Sequence, residues 1–421
     1  MSRLRRLVAL AAFSACDSPA SDLPDGGIDG GADPRAPVLY PAGQTLSPLT
    51  PDLVERLRAV HATATGSDMV FAKIGDSHTE TPAYIACFAG TNVDLGGRDL
   101  GATVAHFKAG DAAGTTPFQR VSIATKIGWS AFQVLAGTPS PLAQEVAAIR
   151  PTFATVLFGT NDIGYNRIDR YGQNLAAIAD TLLASGVIPI FSTLPPRDDD
   201  AAADRQVPRY NAIARGVAQT RGIPLVDLHR ELAALPGHGL AGDDLHLESY
   251  SAGACRLDAM GITHGNNVRN LWVLSALDRM RRTVLADEPA PDADAPRLRG
   301  RGAPDDPFLV SQLPFADRRD TSTFGTDAIT SYPACGPQDE RGNEVYYRIE
   351  LASPAMLHAY VIDDTADIDL HLLADAPSAS GCLARGDTAI DRQLAAGTYF
   401  LVADTFAGTA GDFTIVVMTD P

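Results

Sequence analysis

The sequence predicts an α/β domain built on a parallel sheet, followed by a smaller antiparallel β-sandwich. Three observations lead there. Between about residues 46 and 286, strand-like apolar runs alternate with amphipathic helical ones. Strands separated by helices imply right-handed crossovers and a parallel sheet covered on both faces. The stretch "ADEPAPDADAPRLRGRGAPDD" is rich in proline and charge and reads as a linker, and beyond it the apolar period becomes two. A chain of 421 residues also exceeds one ordinary core, so two domains are expected.

Taken in order, "PDLVERLRAVHAT" is a helix with Pro51 in its first turn, where a missing N–H costs nothing. "MVFAKI", residues 69–74, is a short strand, and "RVSIAT", residues 120–125, is strand-like. "PLAQEVAAI" is a helix and "FATVLF" a buried strand. "NLAAIADTLLASG" puts Leu175, Ile178 and Leu182 on one helical face and stops at Gly186. "VIPIFST" and "IPLVDL" are strands on either side of the helix "VPRYNAIARGVAQTRG", and "NVRNLWVLSALDRMRRTVL" is a long closing helix. In the tail, "EVYYRIEL" places Tyr347, Ile349 and Leu351 on one side and Tyr346, Arg348 and Glu350 on the other. "GTYFLVAD" and "DFTIVVM" alternate likewise, so residues 307–421 are expected to form a small sandwich.

Hydrophobic residues make up 45% and charged residues 20%, which is ordinary for a globular protein. The net charge of −17 argues against nucleic acid, whose phosphates would repel the chain. The N-terminus suggests export. "MSRLRR" is basic, and "LVALAAFSA" is apolar but too short to span a bilayer. Cys16 follows directly, then a Gly-, Pro- and Asp-rich stretch. This resembles a bacterial lipoprotein signal over residues 1–15, with Cys16 as the lipidated residue, although Phe13 stands where such signals usually carry leucine. The expected locale is the bacterial cell envelope, with membrane contact only through that lipid; an ordinary cleaved signal would give a secreted protein. Residues 16–45 are expected to be a flexible tether and 287–306 the second linker.

Five cysteines agree with an oxidising compartment. With Cys16 set aside, Cys87 and Cys255 fall in the first domain and Cys335 and Cys382 in the second. One disulfide in each is the simplest pairing.

Four short pieces in the first domain sit at strand ends or helix starts: "GDS" with Ser77, "IGWSAFQVL" with Gly128, "FGTND" with Asn161, and "DDLH" with Asp243 and His246. In a parallel sheet the carboxyl ends of all strands share one edge, so these pieces can converge there. A serine hydroxyl needs an imidazole to take its proton, and the imidazole needs an acceptor on its other nitrogen. The attacked carbonyl needs donors aimed at the oxyanion; the Ser77 and Gly128 N–H groups and the Asn161 amide are of that kind. Each piece has a plainer reading. Ser77 and Glu80 fit a Ser-x-x-Glu capping box, Asn161 or Asp162 would cap a helix, and Trp129 is a pocket wall or core packing. Of the nine histidines, only His246 has an Asp three residues before it.

Over roughly residues 65–285 the chain resembles the SGNH hydrolases, the GDSL-type esterases and lipases, through these four blocks. The resemblance implies a three-layer α/β/α fold of flavodoxin type. It makes Ser77 the nucleophile, with His246 and Asp243 as base and orienter. Ser77, Gly128 and Asn161 become the oxyanion hole. His78 stands where the family name has leucine, and is expected to be a polar helix-start residue or a substrate contact. Gly110 and Gly114 compete with Gly128, and Asp244 with Asp243. The tail resembles bacterial pre-peptidase C-terminal domains through "DDTADIDLHLL" and "GTYFLVAD". Its Asp363, Asp364, Asp367 and Asp369 offer oxygens for calcium, or form a solvated turn.

The function expected is hydrolysis of carboxylic esters, among them carbohydrate O-acetyl and other small acyl esters, with no metal or organic cofactor. Two alternatives stand beside it: a metal-dependent phosphoesterase, and a non-catalytic surface binding protein on a hydrolase scaffold. A Gly-x-Ser-x-Gly elbow is absent, since "GWSAF" lacks the second glycine.

Overall fold

The computed structural model describes residues 35–336, 338–362 and 365–420. Cys16, the signal, Asp363 and Asp364 lie outside them. The first elements are helix α1 (Pro51–His61), strand β1 (Ser67–Gly75), and helices α2 (Ser77–Glu80), α3 (Gly101–Lys108), α4 (Ala131–Leu135) and α5 (Pro141–Ile149). Strand β2 (Pro151–Leu157), α6 (Ile168–Ala184), β3 (Ile188–Ser192), α7 (Ala201–Asp204) and α8 (Val207–Arg221) follow. Strand β4 (Leu225–Val226), α9 (Leu228–Ala233) and α10 (Gly265–Met280) complete the first body.

The four strands form a parallel sheet in the order β1-β2-β3-β4. Alternation along β1 sends Val70, Ala72 and Ile74 to one core, shared with α5, α6 and α8, and Phe71 to another, shared with α1, α3 and α10. The result is the three-layer α/β/α arrangement expected. The expected strand at 120–125 is reduced to one parallel bridge, Thr125 to Gly75. The reason is local competition for its backbone. The Ser122 hydroxyl accepts from Ala124 N and the Glu145 carboxylate from Ile123 N, so these donors do not serve a ladder. The bridge still lies on the free side of β1, so β1 is flanked on both sides. Its carboxyl end opens at the crevice where such sheets hold ligands.

The tail contributes β5 (Phe308–Val310), β6 (Phe315–Asp320), β7 (Val345–Leu351), β8 (Ala355–Ile362) and β9 (Ile368–Ala374). Then come β10 (Cys382–Gly386), β11 (Ala389–Leu394), β12 (Gly397–Thr405) and β13 (Asp412–Thr419). They form two facing sheets, β10-β9-β12-β7-β5 and β11-β8-β13-β6. All pairs are antiparallel except β5 with β7. As the period predicts, Tyr347, Ile349 and Leu351 enter the inter-sheet core. Tyr346, on the other face, is also buried, in a smaller cluster with Tyr332, Leu373, Phe400 and Val402.

The sandwich packs directly on the α/β layers. Ala316, Tyr360, Ile362, Val416 and Met418 belong to the same core cluster as α6 and α8. Two helix glycines make room: a Cβ on Gly172 would sit 2.7 Å from Ile362 Cγ2, and one on Gly216 2.6 Å from Val416 Cγ2. Two stretches expected to be loose are held. Val38, Leu39 and Tyr40 of the expected tether are buried, because Leu39 N donates to Pro296 O and Tyr40 N to Gln219. In the expected linker Leu298 is buried, and Asp292 accepts from Leu49 N and pairs with Arg279. Both stretches are irregular where the structure describes them, residues 35–45 and 287–306, but their few apolar residues found a core. Cys87–Cys255 and Cys335–Cys382 are disulfides, with Cα atoms 5.7 and 5.9 Å apart.

Candidate active site

Strand β1 ends at Gly75, where a side chain would strike Leu157 O at 2.5 Å and Thr79 Oγ1 at 2.3 Å. The helix cap is Asp76, whose Oδ1 accepts from His78 N at 3.0 Å. The capping box expected of Ser77 and Glu80 therefore does not form. Ser77 stands one residue too late, and the Glu80 carboxylate instead accepts from Ile127 N across the crevice. The freed Ser77 Oγ meets His246 Nε2 at 3.0 Å.

His246 Nδ1 lies 2.6 Å from Asp243 Oδ2. Asp243 Oδ1 accepts from the backbone N–H groups of Leu245 and His246 at 3.2 and 3.0 Å. The carboxylate thus closes a turn and orients the ring with the same side chain. The His246 hydrogen bond, joined by the backbone donors, holds Asp243 down at about 2. With Nδ1–H donating to this carboxylate, Nε2 is free to accept from the Ser77 hydroxyl. Asp244 takes no part in the chain; it adopts φ +57° and its carbonyl accepts from Asp199 N at 3.0 Å.

Gly128 is exposed, with φ +79° and nothing within 4 Å of where a Cβ would stand. Its loop is tied to the end of β1, since Lys126 N donates to Gly75 O at 3.2 Å. Asn161 Nδ2 donates one hydrogen to Trp129 O at 2.9 Å, which orients the amide and leaves its second hydrogen for a ligand. Trp129 is half-buried against the core. Gly110 packs on Met69 O near the start of β1, and Gly114 N turns back onto Asp111, so neither belongs to this edge. Asp162 is buried and does cap a helix, but one distant in sequence: its carboxylate accepts from Ala131 N at 3.0 and 3.2 Å, at the head of α4. Burial pushes this carboxyl up to about 7.

His78 is neither exposed nor a substrate contact in this arrangement. It is 2% exposed, its ring centroid lies 5.3 Å from that of His246, and its Nε2 has no hydrogen-bond partner. Burial, then the Arg269 charge, push it down to about 3, so it is neutral.

Residues of α10 missed in the sequence hold both halves of the site. Arg269, fully buried, donates to His78 O and Thr79 Oγ1 and stacks on Tyr84. Asn270 serves Ile85 N and Ala83 O, while Asn266 and Asn267 serve Leu247 O and Tyr250 N beyond His246. The signal was present in "GNNVRN", a polar run opening a helix whose middle, "LWVL", is apolar. The Cys87–Cys255 disulfide joins the same two segments. A second tie runs through the loop after β3: Arg197 donates to Thr160 O at 2.7 Å and pairs with Asp199.

Residues 74–250 match the family described as GDSL-like Lipase/Acylhydrolase. Similar solved structures include an acetyl xylan esterase from Geobacillus stearothermophilus, 13% identical, covering 51% of this chain and 96% of its own, with a TM-score of 0.33. A GDSL-like lipase from Bacteroides thetaiotaomicron is 16% identical over 54% of this chain and 97% of its own, with a TM-score of 0.32. The pre-peptidase C-terminal domain of a Bacillus anthracis collagenase is 13% identical over 25% of this chain and 89% of its own, with a TM-score of 0.18. No curated protein matches the sequence. Residues 74–250 thus carry a GDSL-like lipase/acylhydrolase domain, the domain of a carboxylic ester hydrolase.

Proposed function

We propose that Ser77 is the nucleophile of this hydrolase, that His246 and Asp243 are its base and orienter, and that acetyl and other small acyl groups on carbohydrate are its substrates. The observation that carries this reading is the unbroken chain Ser77–His246–Asp243, with contacts of 3.0 and 2.6 Å. His246 takes the hydroxyl proton as Oγ attacks the ester carbonyl, and Asp243 stabilises the imidazolium. The oxyanion is met by Ser77 N, Gly128 N and the second Asn161 amide hydrogen. Ser77 N opens α2, so no intrahelical carbonyl competes for it. His246 then gives its proton to the leaving alcohol, and water, activated by the same imidazole, hydrolyses the acyl-enzyme.

The open form of the site supports a carbohydrate-borne substrate. The His246 and Asp243 side chains are 41% and 52% exposed. Phe132 and Tyr165, flanking the Gly128 and Asn161 blocks, present exposed rings 5.7 Å apart, suited to the apolar face of a sugar. A phosphoesterase finds less support, because both His246 ring nitrogens are engaged by Ser77 and Asp243.

Ser77→Ala tests the reading. Turnover of p-nitrophenyl acetate should fall by at least about 10³-fold with the melting temperature unchanged, and a fluorophosphonate should label Ser77 in the wild type. Retained turnover ends the proposal. A series of acetylated oligosaccharides and p-nitrophenyl esters of graded length tests the substrate. We also place the protein in the cell envelope, anchored through Cys16; two disulfides support an oxidising compartment. Cys16→Ser should move it to the soluble fraction, and an unchanged distribution would remove the anchor.

A further inference from the structure

We propose that Glu340, His371 and Asp404 form a binding site for a divalent transition metal of the zinc class within the β-sandwich. His371 on β9 and Asp404 on β12 point from the same outer face of the five-stranded sheet, since His371 pairs with Val402 and Asp369 with Asp404 in register. Glu340 arrives from the segment that covers this face, whose Cys335 is bonded to Cys382. The three residues are 1%, 1% and 0% exposed, and one ligand atom from each lies within 4.8 Å of the others. Donors about 2.0–2.2 Å from one ion stand no more than about 4.4 Å apart, so small side-chain adjustments close the site.

A second observation separates this cluster from an ordinary acidic patch. Both carboxylate oxygens of Glu340 and both ring nitrogens of His371 are buried without a hydrogen-bond partner. His371 Nε2 lies 3.4 Å from Glu340 Oε1, an approach that makes no hydrogen bond. Buried polar groups are rarely left so. The surroundings are already ordered as a ligand's outer support would be. Tyr332 stacks on the His371 ring at 3.6 Å and donates to Asp404 Oδ2 at 2.8 Å, while Asp404 Oδ1 accepts from Thr405 N at 2.7 Å.

The charge balance points the same way. Glu340, Glu344, Asp369 and Asp404 are four buried carboxylates. Among the described residues Arg385 faces them; it pairs with Asp369 at 2.5 Å and with Asp387 at 2.8 Å, and lies 3.6 Å from Glu340. A dication would offset the carboxylates that Arg385 leaves uncompensated. An imidazole with two carboxylates suits zinc, cobalt or manganese, whereas calcium takes oxygen ligands alone. The role is structural: the ion would clasp the covering segment onto the sheet.

The test uses the full chain, stripped with chelator, dialysed and titrated with Co²⁺ and then Zn²⁺. One Co²⁺ should bind per chain with a visible d–d band, Zn²⁺ should abolish that band, and Zn²⁺ should raise the melting temperature. Glu340→Gln, which breaks no hydrogen bond, should weaken Co²⁺ binding by at least about 10-fold, and His371→Gln should remove the band, with ester hydrolysis reporting that each variant is folded. Absence of Co²⁺ and Zn²⁺ binding overturns the proposal. So do isotherms identical in wild type and Glu340→Gln, and binding of Ca²⁺ without Co²⁺.

Discussion

Asp76 sets its carboxylate 3.0 Å from the backbone N–H of His78, capping the helix that Ser77 begins. The cap is fully buried, and burial pushes its carboxyl up to about 6, with the His78 N–H and the Arg269 charge pulling the other way. An unfolded aspartate titrates near 3.9. Between about pH 4 and 6 the native state therefore holds a proton that the unfolded chain has released, and native stability falls as pH rises through this window. Asp76→Asn keeps an oxygen for the cap and removes the charge. Denaturant titrations at pH 4 and 7 should show the wild type losing of the order of 2–3 kcal/mol more than the variant across that interval; equal losses would refute the assignment.

Asn161→Ala leaves Ser77, His246 and Asp243 in place and removes one donor from the proposed oxyanion hole. Its kcat on p-nitrophenyl acetate should drop by about 10²–10³-fold, with KM nearly unchanged, because the amide acts on charge that develops only in the transition state. The amide also bonds Trp129 O. A rise in KM with kcat preserved would show that it serves substrate binding or loop placement instead.

Legibility of this fold and site followed the range of the interactions involved. The helices at α6 and α8 and strands β1 to β3 follow from local apolar periodicity. The Asp243–His246 turn also follows from spacing, since three residues separate its partners. What stayed hidden depends on partners distant in sequence. Ser77 and Glu80 satisfy the local rule for a capping box, but Glu80 finds Ile127 and Asp76 takes the cap. Residues 120–125 have strand composition, but Glu145, about one helical turn into α5, takes Ile123 N. Arg269 and Asn270 look like the polar side of a surface helix until Ala83 and His78 are seen beneath them. Val38 to Tyr40 look like tether because three apolar residues in a Gly-rich stretch carry no period at all.

His78→Leu should stabilise the fold. The buried ring leaves Nε2 unpartnered, a cost of about 1–3 kcal/mol that leucine of similar volume does not carry. The ring is held down at about 3, against an ordinary value of 6.5. The unfolded chain therefore takes up a proton that the native state refuses as pH falls from about 6.5 to 3, and stability declines on that side. Melting curves at pH 7 and pH 4.5 should show a higher midpoint for the variant at both, with a wider margin at pH 4.5. A margin that narrows in acid would mean that His78 is charged in the native state.

The Cys87–Cys255 disulfide closes a loop of 168 residues between the Ser77 and His246 segments. Replacing both cysteines by serine should cost about 2–5 kcal/mol of stability, most of it from the freer unfolded chain. Arg269 and Asn270 still hold the Ser77 segment in that variant. Its kcat at low temperature should therefore stay within about threefold of wild type while its denaturation midpoint falls. A collapse of kcat in a protein that remains folded would assign the disulfide to alignment of the site.

Gly216 decides how firmly the sandwich is docked. In a helix open to solvent, glycine to alanine gains about 1 kcal/mol from helix propensity. Here the added Cβ would stand 2.6 Å from Val416 Cγ2 and 3.1 Å from the Ala316 Cβ. Overpacking of that kind costs about 1–3 kcal/mol, so the net sign reverses. Gly216→Ala should lower the melting temperature, and Gly216→Leu should lower it further and expose apolar surface to a hydrophobic dye. Because Tyr360, Ile362 and Val416 share a core with α6 and α8, removing residues 307–421 should leave an aggregating hydrolase body rather than a free-standing enzyme. A soluble, fully active truncation that melts like the full chain would show that the shared core contributes nothing to stability.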